Sequence, residues 1–115
     1  MLFKKNVLTL NRVHDTVVIA EGGEKIKLHV DADPMRMVAG LNQVQRMFQA
    51  LNENSSEEEA RSAAMYYAAV IFGHDQADQL AAFYHNDAGC IIGICGRYFT
   101  GRLNKLITAA QKKIK

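Results

Sequence analysis

The chain has 115 residues, of which 49% are hydrophobic and 23% charged, and its formal net charge is +2. This length and composition predict one globular domain over residues 1–115, and the net charge is too small to indicate nucleic-acid binding by itself. No uncharged apolar run reaches about 18 residues, and no secretory h-region follows Lys4 and Lys5. We therefore expect a cytoplasmic protein that does not span a membrane.

Three extended runs open the chain, at residues 2–10, 16–20 and 25–30. They are rich in β-branched and apolar residues, which favour strands. Gly22 and Gly23 separate the last two runs and can supply the positive φ of a tight hairpin turn. The third run alternates apolar and basic residues, so one of its faces should be wet. The pattern predicts a three-stranded antiparallel β-meander within residues 1–31, whose apolar face packs on helices.

Local signals then mark three helix starts or ends. Asp33 and Pro34 resemble an N-cap followed by proline at the first helical position, and they predict a helix that ends in the polar linker 52–56. Ser56 and Glu59 have capping-box spacing for a second helix, which should stop at Gly73. A short third helix is predicted for residues 75–84.

The last quarter of the chain reads as one long amphipathic helix over residues 87–115. Asp87 is a suitable N-cap, and apolar residues recur with a period near 3.6 as far as Ile114. We expect Leu103 and Leu106 to be largely buried. The predicted fold class is therefore α+β and mainly helical, with the β-meander followed by about four helices over residues 33–115.

Charge is segregated along the chain. Residues 1–87 contain eight basic and twelve acidic residues and sum to −4, whereas the remaining residues contain six basic residues and no acid. Gly89 and Gly93 have the small-xxx-small spacing of closely packed helices, and glycine costs about 1 kcal/mol in a helix interior. That contact could lie within the monomer or between subunits. The predicted interaction face comprises Gly89, Gly93, Arg97, Tyr98, Arg102, Lys105, Lys112 and Lys113.

No residue pattern indicates a reaction. The four histidines lack metal-ligand spacing, and the chain has neither a nucleophile elbow nor a phosphate-binding glycine loop. Glu57, Glu58 and Glu59 are placed to stabilise a helix N-terminus electrostatically. Cys90 and Cys95 lack the spacing of a redox or metal motif, so we expect buried, reduced thiols. The sequence predicts no catalytic residue, cofactor or metal, and hence no enzyme.

Three segments of the second half, residues 72–87, 96–99 and 102–113, resemble small tail assembly chaperones of long-tailed bacteriophages and prophages. The resemblance covers about half of the chain and does not include the N-terminal third. It implies a non-enzymatic protein of the host cytoplasm that self-associates. It also implies binding to the tape-measure protein and assistance to the polymerisation of tail-tube proteins.

The alternative from another functional class is a small DNA-binding or regulatory protein that uses the basic terminal helix. Cationic side chains on a helix could contact phosphates, with an affinity that falls steeply with salt. Lysines at a helix C-terminus also complement the helix dipole without any ligand. Arg97 and Tyr98 do not form a surface of interleaved basic and aromatic residues, which disfavours nucleic acid as the partner.

Overall fold

The structure is a computed structural model that describes residues 12–114. Its elements are β1 (Val13–Glu21), β2 (Glu24–Ala32), α1 (Pro34–Ala50), α2 (Glu57–Phe72), α3 (His74–Phe83), α4 (Ala88–Tyr98), a π-helical segment (Phe99–Leu103) and α5 (Asn104–Ile114). The described part is mainly helical and carries a two-stranded antiparallel sheet. This confirms the predicted α+β, mainly helical class.

Within residues 12–114, the sheet is a hairpin of two nine-residue strands. Its ladder runs from the Val13–Ala32 pair to the Glu21–Glu24 pair, and Gly22 and Gly23 form the turn with φ of +59° and +85°. The turn confirms the glycine prediction, and both strands are longer than predicted. The predicted third strand, at residues 2–10, lies outside the described residues.

The hairpin packs one face against the helices, as its alternating pattern predicted. Leu28 and Val30 of β2 are buried, whereas Lys25, Lys27 and His29 are exposed. The sheet contacts α2 and α3 through β2, and α5 through β1. A two-stranded hairpin is at best marginally stable alone in water, so this helical support stabilises it.

All three helices start at the predicted caps, and two of the three caps make a side-chain hydrogen bond. Ser56 and Glu59 form both hydrogen bonds of a capping box at the start of α2, and the Asp87 carboxylate accepts from the backbone N–H of Cys90 at the start of α4. Asp33 occupies the N-cap of α1, but its side chain makes no capping hydrogen bond. Pro34 at the first helical position, which is buried, fixes that start instead.

The centre of the described part is α2, which contacts α1, α3, α4 and β2. Ala63, Ala64 and Ala68 have at most 1% exposure, so their small side chains let neighbouring elements approach closely. Gly40 of α1 faces Val70 of α2 so tightly that an added Cβ would lie 2.8 Å from Val70 Cγ1. That glycine is a packing residue.

The prediction of one long terminal α-helix is not confirmed. The stretch consists of α4, the π-helical segment and α5, although Tyr98, Phe99 and Asn104 at the junctions keep right-handed helical dihedrals. Gly96 and Gly101 lie around the first junction, and their low helix propensity weakens regular α-helix there. Leu103 is fully buried as expected, whereas Leu106 is half-buried.

One hydrophobic cluster joins the hairpin to the helices. The terminal stretch contributes a single buried row to this cluster, formed by Ile91, Cys95, Leu103, Ile107 and Ala110. Within residues 12–114, no helix combines the length and apolarity that crossing a membrane requires.

Candidate interaction face

The structure divides the predicted interaction face into three parts. Gly89, Gly93 and Arg97 lie along one side of α4 and are exposed. Tyr98 and Arg102 point toward β1, where both donate hydrogen bonds to the carboxylate of Asp15. Lys105 and Lys112 are exposed on α5, and the side chain of Lys113 lies outside those described. The eight residues therefore do not form one continuous surface.

The glycines of α4 line the side of the helix that faces away from the core. At about 100° per residue, Gly89, Gly93 and Gly96 cluster opposite Ile91 and Cys95, the two buried residues of α4. We call these three glycines the glycine face. An added Cβ would meet no atom within 4 Å at Gly93 or Gly96, and at Gly89 only Asp87 Oδ1, at 3.3 Å.

No other described element therefore packs against the glycine face. The prediction that these glycines permit a close helix contact within the monomer is wrong for the described residues. The other interpretation, a contact between subunits, stays a prediction. A helix that carries three glycines on its exposed side has low intrinsic stability there, which its buried row must offset.

A second arrangement, the Asp15 clasp, joins β1 to the terminal stretch. We define it as Asp15, Tyr98 and Arg102. The Tyr98 hydroxyl donates to Asp15 Oδ2 at 2.8 Å, while Arg102 Nε donates to Oδ2 at 2.7 Å and its terminal nitrogen donates to Oδ1 at 3.1 Å. A two-point arginine–carboxylate contact fixes both groups in orientation as well as in distance.

The electrostatics of the clasp are those of a shielded ion pair. The Asp15 side chain is only 8% exposed, whereas that of Arg102 is 61% exposed. The hydrogen bond from Arg102 lowers the pKa of Asp15 below its ordinary value, against the opposing effect of burial. Burial and the hydrogen bond to Asp15 raise the pKa of Tyr98. At neutral pH, Asp15 is a carboxylate and Tyr98 a neutral donor.

The helical geometry brings both donors to one carboxylate. Tyr98 ends α4 and Arg102 belongs to the π-helical segment, so they are four positions apart on adjoining turns. The Tyr98 ring also stacks on Phe72 of α2, with ring centroids 5.9 Å apart. The clasp thereby ties the hairpin, α2 and the terminal stretch together.

Sequence reasoning missed Asp15, because the predicted strand began at Thr16. The signal was present: Val13 and Ile19 face the core, so the period of two puts Asp15 on the same inward face. A lone acid on an apolar strand face needs a cationic or hydrogen-bonding partner. The same reasoning would have directed attention to the arginines of the terminal stretch.

The two thiols differ in environment. Cys95 is buried against α2, and burial raises its pKa to about 12, so it is an unreactive thiol at neutral pH. Cys90 is exposed, contrary to the prediction of a buried thiol. It lies in the first turn of α4, where desolvation and then the nearby Asp87 carboxylate raise the pKa of its thiol.

The remaining surface carries shallow grooves. One groove, with a volume of about 400 Å³, runs between residues 17–21 of β1 and the terminal stretch, where Ile94 and Arg97 of α4 and Gly101 of the π-helical segment line it. Across the described range, no three His, Cys, Asp or Glu side chains come close enough together to hold a metal ion.

Comparison with protein families, with curated proteins and with solved structures finds no match to this chain.

Proposed function

We propose that the chain is a non-enzymatic tail morphogenesis protein of a long-tailed phage or prophage. In this role it acts as a tail assembly chaperone that associates with itself and binds tape-measure and tail-tube proteins. The observation that carries the proposal is the glycine face of α4, which lies opposite the core and meets no other described element. Because glycine has no side chain, such a face lets a second helix approach closely.

The charges around the glycine face support a protein partner. Arg97 lies at one rim of this face, and Lys105 and Lys112 are exposed separately, on α5. At the start of α2, Glu57 and Glu58 are also exposed. Opposite charges at two places on one molecule allow head-to-tail contacts between copies, and such contacts build rings or filaments. We therefore propose an association that weakens as salt screens these charges.

The resemblance to tail assembly chaperones supports the identity of the partners. Its three segments cover α3 and much of the terminal stretch. Of the glycine face, Gly96 lies within these segments, whereas Gly89 and Gly93 lie between the first and the second. The activity proposed for α3 and the terminal stretch is protein binding, without a chemical step.

The test uses the full chain and a side chain added to the glycine face. In Gly93→Gln, the added side chain enters open space, so the fold should persist, while the close approach of a second helix should be blocked. Ala82→Gln adds the same side chain at an exposed position of α3 and serves as the matched control. Sedimentation at several salt concentrations measures self-association, and co-purification with the tape-measure protein of the same genome measures partner binding.

We expect the unmodified chain and Ala82→Gln to associate and to retain the tape-measure protein, and Gly93→Gln to lose both by at least tenfold in affinity. A monomer at high protein concentration in every salt, together with no co-purification, would reject the proposal. Salt-dependent retention on DNA would favour the alternative function, although Arg102 is already paired with Asp15.

A further inference from the structure

The buried row of the terminal stretch changes its helical phase between α4 and α5. In α4 the row contains Ile91 and Cys95, which are four positions apart and share one side of the helix. Leu103, the next fully buried residue of the row, follows Cys95 after eight positions. At about 100° per residue, eight residues of α-helix make two full turns and about 80° more. In a regular α-helix, Leu103 would therefore point away from the side that faces the core.

The same displacement by one residue occurs at three positions. An α-helix that continued the phase of α4 would turn Arg102, Leu106 and Ala109 toward the core. They lie seven, eleven and fourteen positions after Cys95, close to two, three and four full turns. In the structure, Arg102 and Ala109 are exposed and Leu106 is half-buried. The residue that follows each of them is buried instead, namely Leu103, Ile107 and Ala110.

The π-helical segment accounts for this displacement. A π-helical bond joins residues five positions apart, so a π turn contains one residue more than an α turn. The Asn104 N–H bonds in this way to the C=O of Phe99, five positions back. The extra residue brings Leu103 into the buried row at the place where the phase of α4 would put Arg102.

Burial explains why the chain takes up the extra residue. In the phase of α4, the Arg102 guanidinium would point into the core, where an unpaired charge is costly. Leu103 and Ile107 would at the same time lose their buried places, and with them the gain from removing apolar surface from water. With the π turn, Arg102 instead reaches Asp15 and stays largely in solvent. The π turn thereby sorts the charged and the apolar residues of the terminal stretch.

We propose that the π-helical segment is a conformational device that sets the phase of α5, and that the buried row, not the Asp15 clasp, holds it in place. The segment contains one residue more than the passage from α4 to α5 requires. It can release that residue and become α-helix without disturbing the packing of either helix. One residue can therefore leave the terminal stretch at this place and at no neighbouring place.

The bonds of the segment show what such a release would change. Without Thr100, an exposed residue of the segment, Leu103 would follow Cys95 after seven positions and lie about 20° from it in a continuous α-helix. The bond from Asn104 to Phe99 would then span four positions, as it does in an α-helix. Residues after Thr100 would keep their positions relative to Leu103, so the clasp would persist.

The first test deletes single residues from the full chain and measures thermal unfolding. The deletion of Thr100 shortens the segment, and the deletion of Asn104, an exposed polar residue four positions later, is the matched control. Without Asn104, keeping the extra residue turns Ala110 out of the row, and releasing it turns Leu103 out. We expect the Thr100 deletion to melt within about 2 °C of the unmodified chain or above it, and the Asn104 deletion at least about 8 °C below. Equal losses, or a Thr100 deletion that does not fold, would overturn the proposal.

The second test identifies the hydrogen bond directly by NMR, through the scalar coupling between a bonded amide nitrogen and its carbonyl carbon. We expect the coupling between Asn104 and Phe99 in the unmodified chain, in the Thr100 deletion and in Asp15→Asn. Since Asp15→Asn removes the ion pair of the clasp, loss of the coupling in that variant would show that the clasp sets the phase of α5. Absence of the coupling from the unmodified chain or from the Thr100 deletion would equally contradict the proposal.

Discussion

Two helices of this protein are rich in small residues, and they use them in opposite ways. In α2, Ala63, Ala64 and Ala68 are in the core, where neighbouring elements pack against them. In α4, Gly93 and Gly96 point away from the core into open space. Both helices contain residues that a sequence reader would assign to close helix packing.

The difference lies in what surrounds each small residue. Buried alanines are accompanied in α2 by large apolar residues on the same face, such as Tyr67 and Ile71. The glycines of α4 share their side of the helix with exposed residues, including Arg97. Small-residue spacing alone therefore does not locate a contact within the monomer, whereas small residues together with large apolar neighbours on the same face do.

The largest predicted effect concerns the buried row that holds the terminal stretch in place. Leu103 has no exposure, so Leu103→Ala should lower the free energy of unfolding by about 2–5 kcal/mol through lost transfer energy and a cavity. Urea unfolding measures the change. Leu106→Ala is the control, because Leu106 is half-buried, and it should cost about 1 kcal/mol. Equal losses would mean that the row is not what anchors this stretch.

The next effect separates the one tightly packed glycine of α1 from those of α4. Alanine at Gly40 would put a methyl group 2.8 Å from Val70 Cγ1 and 2.9 Å from Cγ2, and valine has little freedom at χ1 to move away. Overpacking costs about 1–3 kcal/mol, against about 1 kcal/mol gained in helix propensity. We expect Gly40→Ala to destabilise the fold in thermal or urea unfolding.

The double variant Gly40→Ala with Val70→Ala tests the cause of that loss. Removing the two Val70 methyl groups makes room for the new one, so the pair should be less destabilised than the sum of the single changes. A Gly40→Ala variant more stable than the unmodified chain would show that α1 and α2 can separate at no cost.

Much of the fold could be predicted because local chemistry decides it. The capping box at Ser56, the N-cap at Asp87 and the turn at Gly22 depend on residues within a few positions of each other. Strand lengths were underestimated, since Asp15 is a poor strand former and its place in β1 depends on Arg102, 87 positions away. Partners at such separation leave no local signal.

The candidate site was harder to predict for the same reason. The exposed positions of Gly89, Gly93 and Arg97 agree with a surface role, but Tyr98 and Arg102 bond within the chain. Helical periodicity predicted Leu103 in the core, and it did not anticipate the π-helical segment that contains it. The hydrogen bonds between Gln76 of α3 and His29 of β2 likewise join residues 47 positions apart.

A smaller effect tests the Asp15 clasp, which joins β1 to the terminal stretch. Asp15→Asn keeps an acceptor for Tyr98 and removes the ion pair with Arg102, and it should cost roughly 1–2 kcal/mol at neutral pH. The pKa of Asp15 is lowered in the folded state from its ordinary value of 3.8. The carboxylate therefore contributes stability above that value and loses it as pH falls further, through the folded pKa.

Urea unfolding from pH 7 down to pH 2 measures this dependence. The stability difference between the unmodified chain and Asp15→Asn should narrow as the pH falls below about 3.8. Tyr98→Phe is the control, since it removes one hydrogen bond and leaves the ion pair. A difference that stays constant over the whole range would mean that the charge of Asp15 contributes nothing to stability.

The smallest effect concerns the glycine face. There, the sign of the change in unfolding free energy distinguishes an exposed glycine from a packed one. Gly93 is an exposed interior residue of α4 with open space where a methyl group would lie. Gly93→Ala should therefore stabilise the monomer by up to about 1 kcal/mol through helix propensity, in contrast to Gly40→Ala. Thermal unfolding at low protein concentration measures this gain. If the glycine face is a contact between subunits, the same methyl group should weaken self-association measured by sedimentation. A variant that is more stable and associates as tightly as the unmodified chain would place the contact elsewhere on the molecule.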